Sequence, residues 1–213
     1  FSINTNYVLS RAMSYDGNSA AFANYPINPF DQWSPLDFGP TPSDQRHSFT
    51  FSGIFQLPWS IDIAPIMVVG SARPYNPIQG SDVFGFGGRT SSPHVFVLNS
   101  DPSNLTATAG YTPAQLIACQ NAGTCYQLPY DALRGQPYFD LDMRVGKTIR
   151  WRDRYNLQLF FQGFDMTNRA NFGASYTGNI QSSNFGKPNA YITPDGVIVP
   201  KSFRAEFGFQ FAF

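Results

Sequence analysis

The last eleven residues read FRAEFGFQFAF, and their side chains alternate. Phe203, Ala205, Phe207, Phe209, Phe211 and Phe213 share one parity, while Arg204, Glu206, Gly208, Gln210 and Ala212 share the other. Successive side chains of an extended strand point to opposite faces. The phenylalanines can therefore be gathered only as one side of a ribbon, because a helix would scatter them around its circumference. Eleven residues also match the length of a tilted membrane-crossing strand. Two surroundings suit such a face: hydrocarbon, or the core of a β-sandwich.

The pattern recurs upstream. In residues 1–14, Phe1, Ile3, Tyr7, Leu9 and Met13 oppose a nearly uniform row of small or polar residues. In residues 46–57, Phe49, Phe51, Phe55 and Leu57 oppose Arg46, Ser48, Thr50, Ser52 and Gln56. Residues 60–73 are apolar on both parities in the middle. In residues 138–150, Phe139, Leu141, Met143, Val145, Lys147 and Ile149 oppose Tyr138, Asp140, Asp142, Arg144, Gly146, Thr148 and Arg150. Residues 155–168 alternate too, except that Phe160 and Phe164 fall on the polar side. The reading is six strands.

Their connections alternate in length. Residues 57–60 (LPWS) and 151–154 (WRDR) make tight turns, whereas 15–45, 74–137 and 169–200 are long, polar and rich in Gly, Pro, Asn and Ser. Outer-membrane barrels have short periplasmic turns and long extracellular loops. If the last strand runs toward the periplasm, both short turns fall on that side and all three long loops fall outside. Trp59, Trp151, Tyr155 and Phe213 then sit at the periplasmic interface, where aromatic belts form. Charged residues are only 13% of the chain, about half the share usual in a soluble domain. The longest apolar run, IAPIMVVG at 63–70, is far short of the roughly 20 residues of a membrane helix.

These features predict an all-β fold: an antiparallel transmembrane β-barrel segment in the bacterial outer membrane, touching outer-membrane lipid. Six strands cannot close a barrel, and open edges in lipid would strand backbone donors and acceptors. The remaining strands are expected from an N-terminal part preceding Phe1 or from another chain. The alternative is a secreted or surface β-sandwich binding module, an adhesin or carbohydrate binder.

Other classes lose support. Net charge is zero, with 14 basic and 14 acidic residues and no basic run, so no nucleic-acid partner is expected. Cys119 and Cys125 lie six apart in a polar stretch and are read as a disulfide, which implies an oxidising compartment. No second Cys or His pair has metal-ligand spacing. His47 and His94 have no nucleophile that sequence can pair with them. The glycine-rich GFGG at 85–88 follows no strand-to-helix pattern, and Asn104-Leu105-Thr106 matches a glycosylation sequon only by short spacing. No enzyme, metal or cofactor is expected. Candidate substrate-binding residues are those facing the lumen: Asp140, Asp142, Arg144, Phe160, Gln162, Phe164, Arg204 and Glu206. Against that stands a structural reading, in which the charges form a water-facing ladder and the rings pack on a plug.

Residues 133–173 (LRGQPYFDLDMRVGKTIRWRDRYNLQLFFQGFDMTNRANFG) resemble the end of TonB-dependent outer-membrane receptors, the Oar-like group that carries a carboxypeptidase-regulatory-like domain. The matching elements are Arg134-Gly135, Phe139, Asp142, Phe164, Asn168, Asn171-Phe172-Gly173, Asn184-Phe185-Gly186 and the final aromatic strand. Residues 42–59 resemble the D-x-R-H-x-F strand and L-P turn of that group, and 70–75 (GSARPY) its S-G-R-P-[FY] strand end. The resemblance implies a 22-stranded barrel with an N-terminal plug, energised through TonB, that takes up a substrate captured by its outer loops. Residues 1–213 would be the C-terminal part of that barrel, and the strand ending at Phe213 resembles the signal read by the barrel-assembly machinery.

Overall fold

The computed structural model describes residues 1–15, 33–85, 94–152, 155–173, 175–190 and 202–212. Asp153 and Arg154 of the second tight turn, residues 86–88 of the glycine-rich stretch, Phe213, and much of the first and third long loops lie outside the described residues.

Six long strands form one antiparallel sheet. They are β1 (Ser2–Leu9), β2 (His47–Leu57), β3 (Ile61–Gly70), β4 (Tyr138–Trp151), β5 (Tyr155–Phe164) and β6 (Arg204–Ala212). Each pairs with its neighbour in sequence, so the sheet is a simple up-and-down meander with β1 and β6 as its edges. The short turns join β2 to β3 and β4 to β5 at one end, and the three long connections gather at the other. At the first turn Trp59 and Ser60 take φ of 63° and 56°.

Three strands stop earlier than the alternation predicts. Beyond β1, only Met13–Ser14 pairs again, with Gly39–Pro40. β3 ends at Gly70, where an added Cβ would meet the Gln45 amide nitrogen. β5 ends at Phe164 because Asp165 and Asn168 adopt φ of 46° and 47°, a region that turns the chain and that Asp and Asn tolerate best.

The phenylalanine faces are not buried. Phe207, Phe209 and Phe211 are 82%, 76% and 54% exposed. Neighbouring rings touch along the sheet, with Phe161 and Phe207 centroids 5.0 Å apart and Tyr155 and Phe211 6.0 Å apart. Among the described residues no second layer covers them. A Phe ring left in water forgoes about 2–3 kcal/mol of burial, so a row of them is a surface built for an apolar medium. This removes the sandwich alternative, which needed the same rings packed between two layers.

The buried apolar core lies elsewhere. Val83, Val95, Phe96, Val97, Leu116, Cys125, Tyr130 and Ile180 are all buried and all belong to the long connections. A short ribbon, Phe96–Leu98 paired with Cys125–Gln127, is covered on both sides. Phe96 faces Val83, Leu116 and Cys125, while Val95 and Val97 face Ile180, with Leu128 and Phe185 packed alongside. One helix, α1 (Pro113–Asn121), starts on a capping box in which Thr112 and Gln115 bond reciprocally and Pro113 occupies the first turn. The described parts of the loops expected to be long and polar therefore pack into a folded cap.

Candidate functional site

Strand parity places the eight predicted site residues on one face of β4, β5 and β6. Arg144 is in register with Gln162, and Gln162 with Glu206. Phe164 is in register with Arg204, and Phe160 with both Gly146 and Gly208. The guanidinium of Arg144 lies 4.4 Å from the Phe160 ring centroid, and that of Arg204 lies 4.6 Å from Phe164. Arg204 Nε also donates to Glu206 Oε1 at 3.2 Å. Cation–π pairing accounts for phenylalanines on a polar face: each ring is a platform for an arginine. Gly208 makes room for the first platform, since a Cβ there would meet the Phe160 ring at 2.3 Å.

Asp140 and Asp142 sit higher on the same face and serve the sheet's rim. Asp140 is 4% exposed and accepts from the Tyr138 hydroxyl at 3.2 Å. Asp142 Oδ1 accepts the backbone N–H of Asp165 at 2.8 Å, fixing the turn after β5. Two asparagines extend the ladder beyond its last strand residues. The Asn171 side chain accepts from Phe139 N at 3.0 Å and donates to Phe139 O at 2.9 Å, as a neighbouring strand would. Asn168 Oδ1 accepts from Phe203 N at 3.1 Å.

The cap closes over the end of the sheet that carries the long connections. Side-chain links tie its segments together. His94 and Asp37 are both buried, with His94 Nε2 2.9 Å from Asp37 Oδ1 and His94 Nδ1 2.7 Å from Leu128 O. The Tyr130 ring packs against that imidazole at 4.2 Å. Arg134 Nη2 donates to Asp44 Oδ2 at 2.9 Å, and Ala12 N donates to Asp44 Oδ1 at 2.9 Å. Burial raises the Asp44 carboxyl, but the Ala12 N–H, the Arg134 guanidinium and the charge of Arg46 outweigh it and leave it below its ordinary value. Asp131, by contrast, is pushed up to about 7 by burial. Its N–H donates to Asn76 Oδ1 at 3.1 Å, while Oδ2 is buried without a hydrogen-bond partner among the described residues.

Gln79 is the polar residue at the centre of the cap, fully buried. It accepts from Phe96 N at 3.0 Å and donates to Thr108 O at 3.1 Å, and Thr108 Oγ1 donates to Phe96 O at 2.6 Å. Cys119 and Cys125 form the expected disulfide, clamping α1 to the ribbon across a Cα separation of 5.5 Å.

Of the histidines, His47 lies at the exposed end of β2 with Nδ1 2.7 Å from the Tyr7 hydroxyl. His94 is a core strut of the cap. The His94–Asp37 and Gln79–Phe96 links escape a sequence reading because partners 57 and 17 residues apart carry no shared pattern. The one local signal that could have found part of the cap is Thr112-Pro113-Ala114-Gln115, a helix start that the alternation reading passed over. Among the described residues no cluster of His, Cys, Asp or Glu is arranged to hold a metal, and no helix is long and apolar enough to cross a membrane.

No curated protein and no solved structure matches the chain. The family model described as the outer membrane beta barrel domain matches residues 1–195. β6 lies beyond the matched residues and joins the sheet through its pairing with β5. Exposed aromatic faces, a six-stranded meander and this match agree: the chain belongs to the outer membrane beta barrel domain family and resides in the bacterial outer membrane.

Proposed function

We propose that the chain is the C-terminal part of a TonB-dependent receptor, contributing six strands to a larger barrel whose N-terminal strands and plug come from elsewhere in the protein. In this reading the face carrying Arg144, Phe160, Gln162, Phe164, Arg204 and Glu206 lines the lumen. The cap captures substrate outside, and TonB acts through the N-terminal part. The strand that runs into Phe213 presents the signal for barrel assembly. The reading contains no enzymatic step and no cofactor.

The observation that carries it is the pair of arginine–phenylalanine platforms on a strand face whose reverse side is made for lipid. An empty water channel has little use for phenylalanines on its wall. A lumen filled by a folded plug does, because a cation over a ring offers both a flat apolar contact and a charge. A photocrosslinking residue at Gln162 in the native membrane tests this. The expected adduct is protein, from the plug, whereas the same probe at Phe207 captures lipid. A Gln162 probe that captures lipid, or no polypeptide at all, refutes the receptor reading.

A further inference from the structure

The outward face carries a groove of about 580 Å³ across the middle of β5 and β6, reaching the 57–60 turn through Lys147 and Ile61. Two rows of side chains wall it. Lys147, Leu159 and Phe209 are in register across β4, β5 and β6, and Val145, Phe161 and Phe207 form the next row on the same face. Backbone of Gly146, Phe160 and Gly208 makes the floor between them. The volume lies within the roughly 300–1,000 Å³ of small-molecule sites, and all the walls but Lys147 are apolar.

Lys147 is the anomaly, a cation on a face otherwise made for hydrocarbon. Its position explains it. It is in register with Ile61, the first residue after the 57–60 turn, and Nζ donates to Trp59 O at 3.3 Å. The aliphatic stem thus runs along the groove while the ammonium reaches the interface, with two further N–H donors beyond the Trp59 bond. Trp59, in that turn, is 82% exposed. Asp62, in register with Gly146, faces the opposite side. An apolar trough ends in one cation bonded to the turn that carries an interfacial indole.

We propose that this groove is a binding site for one anionic phospholipid of the inner leaflet. An acyl chain lies between the two rows, and the phosphate sits on Lys147. The site rests on the orientation given above, with the short turns at the periplasmic side. Lipid contact is general to this face, but the cation confines headgroup selection to one place.

The test uses the native protein extracted from outer membranes, titrated with phosphatidylglycerol or phosphatidylcholine of matched chains and read by native mass spectrometry. Wild type is expected to bind one phosphatidylglycerol in preference to phosphatidylcholine. Lys147→Gln should weaken phosphatidylglycerol binding about fivefold, the worth of one lysine at an anionic surface, and leave phosphatidylcholine unchanged. Lys147→Arg should retain the preference, and so should Arg150→Gln, on the other face. Heat-dependent gel mobility shows that each variant is folded, and Lys147→Met replaces Lys147→Gln if the latter is not. Equal binding of the two lipids by wild type, or an unchanged preference in Lys147→Gln, overturns the proposal. Crosslinking from Gln162 is untouched by these variants, so the lipid site and the receptor reading fail separately.

Discussion

Asp131 shows how burial without a partner sets a pH dependence. The residue sits at φ 51°, a conformation that Asp and Asn adopt more readily than other side chains. Its carboxyl titrates near 7 in the folded cap against 3.8 when exposed. Between those values the folded state holds a proton that the opened state releases. Stability therefore falls as pH rises through that window, and the charged form is least welcome above pH 7. Asp131→Asn keeps the shape and the turn but removes the charge. It should leave the cap unchanged near pH 4 and stabilise it on the order of 2 kcal/mol at pH 8. Hydrogen exchange around residues 128–134 reads this: wild-type protection should decline with pH relative to the variant, and parallel profiles would disprove the assignment. A second single-residue contrast separates the two sheet faces. Phe207→Arg puts a charge in hydrocarbon, costing about 2–4 kcal/mol at mid-depth, and should reduce the amount of folded protein in the membrane. Gln162→Arg, on the other face and in register with Glu206, should assemble normally, as measured by heat-modifiable mobility in membrane extracts. Equal loss in both would mean that the faces are not in different media.

At the scale of elements, the cap depends on Gln79 acting as the missing neighbour of a ribbon strand. Gln79→Leu would fill the same volume but leave Phe96 N–H without its partner, while Thr108 O keeps the bond from Tyr111 N. An orphaned buried group costs about 1–3 kcal/mol. Limited proteolysis on intact cells should then cut within 94–128 while the sheet keeps its folded mobility; a cap as resistant as wild type would show that Gln79 is dispensable. This division also explains what could be read from the amino acids. The six strands were legible because their period of two is local and each face meets a uniform medium. Phe203 to Phe213 announces its strand without reference to any other segment. Strand ends were less legible, since the stop after Phe164 depends on the backbone at Asp165 and Asn168. That the eight candidates share one sheet face was legible because parity alone assigns a face, but the Arg144–Phe160 platform needed the register of two strands and the absence of a Cβ at Gly208. The cap was invisible. Its strands are three residues long, and Phe96 meets Leu116 and Cys125, and Val95 meets Ile180, across long stretches of chain. In α1 only Leu116 is fully buried, so no helical apolar stripe forms, and only the capping box could have betrayed it.

For the whole molecule, two solvents shape one chain. The sheet leaves its apolar side chains outside because lipid replaces a core there, and its polar face looks into the lumen. The cap does the reverse, burying Val95, Phe96, Leu116 and Ile180 inside and turning polar groups outward, as a water-surrounded domain must. The two regimes meet at the rim, where Asp44 with Arg134 and Asn171 with Phe139 take over the hydrogen bonding. Such a division predicts an orientation in the membrane. Long connections of outer-membrane barrels face outside, which expects the cap there and the belt of Trp59, Trp151 and Lys147 at the periplasmic surface. A short epitope inserted at Gly123, which lies just past α1 with open space around it, should be stained by antibody on intact cells. The same epitope placed in the Pro58–Ser60 turn should be stained only after the outer membrane is permeabilised. The opposite pattern would invert the sheet in the bilayer, move Lys147 to the outer leaflet and expose the cap to the periplasm, where it could capture nothing arriving from outside.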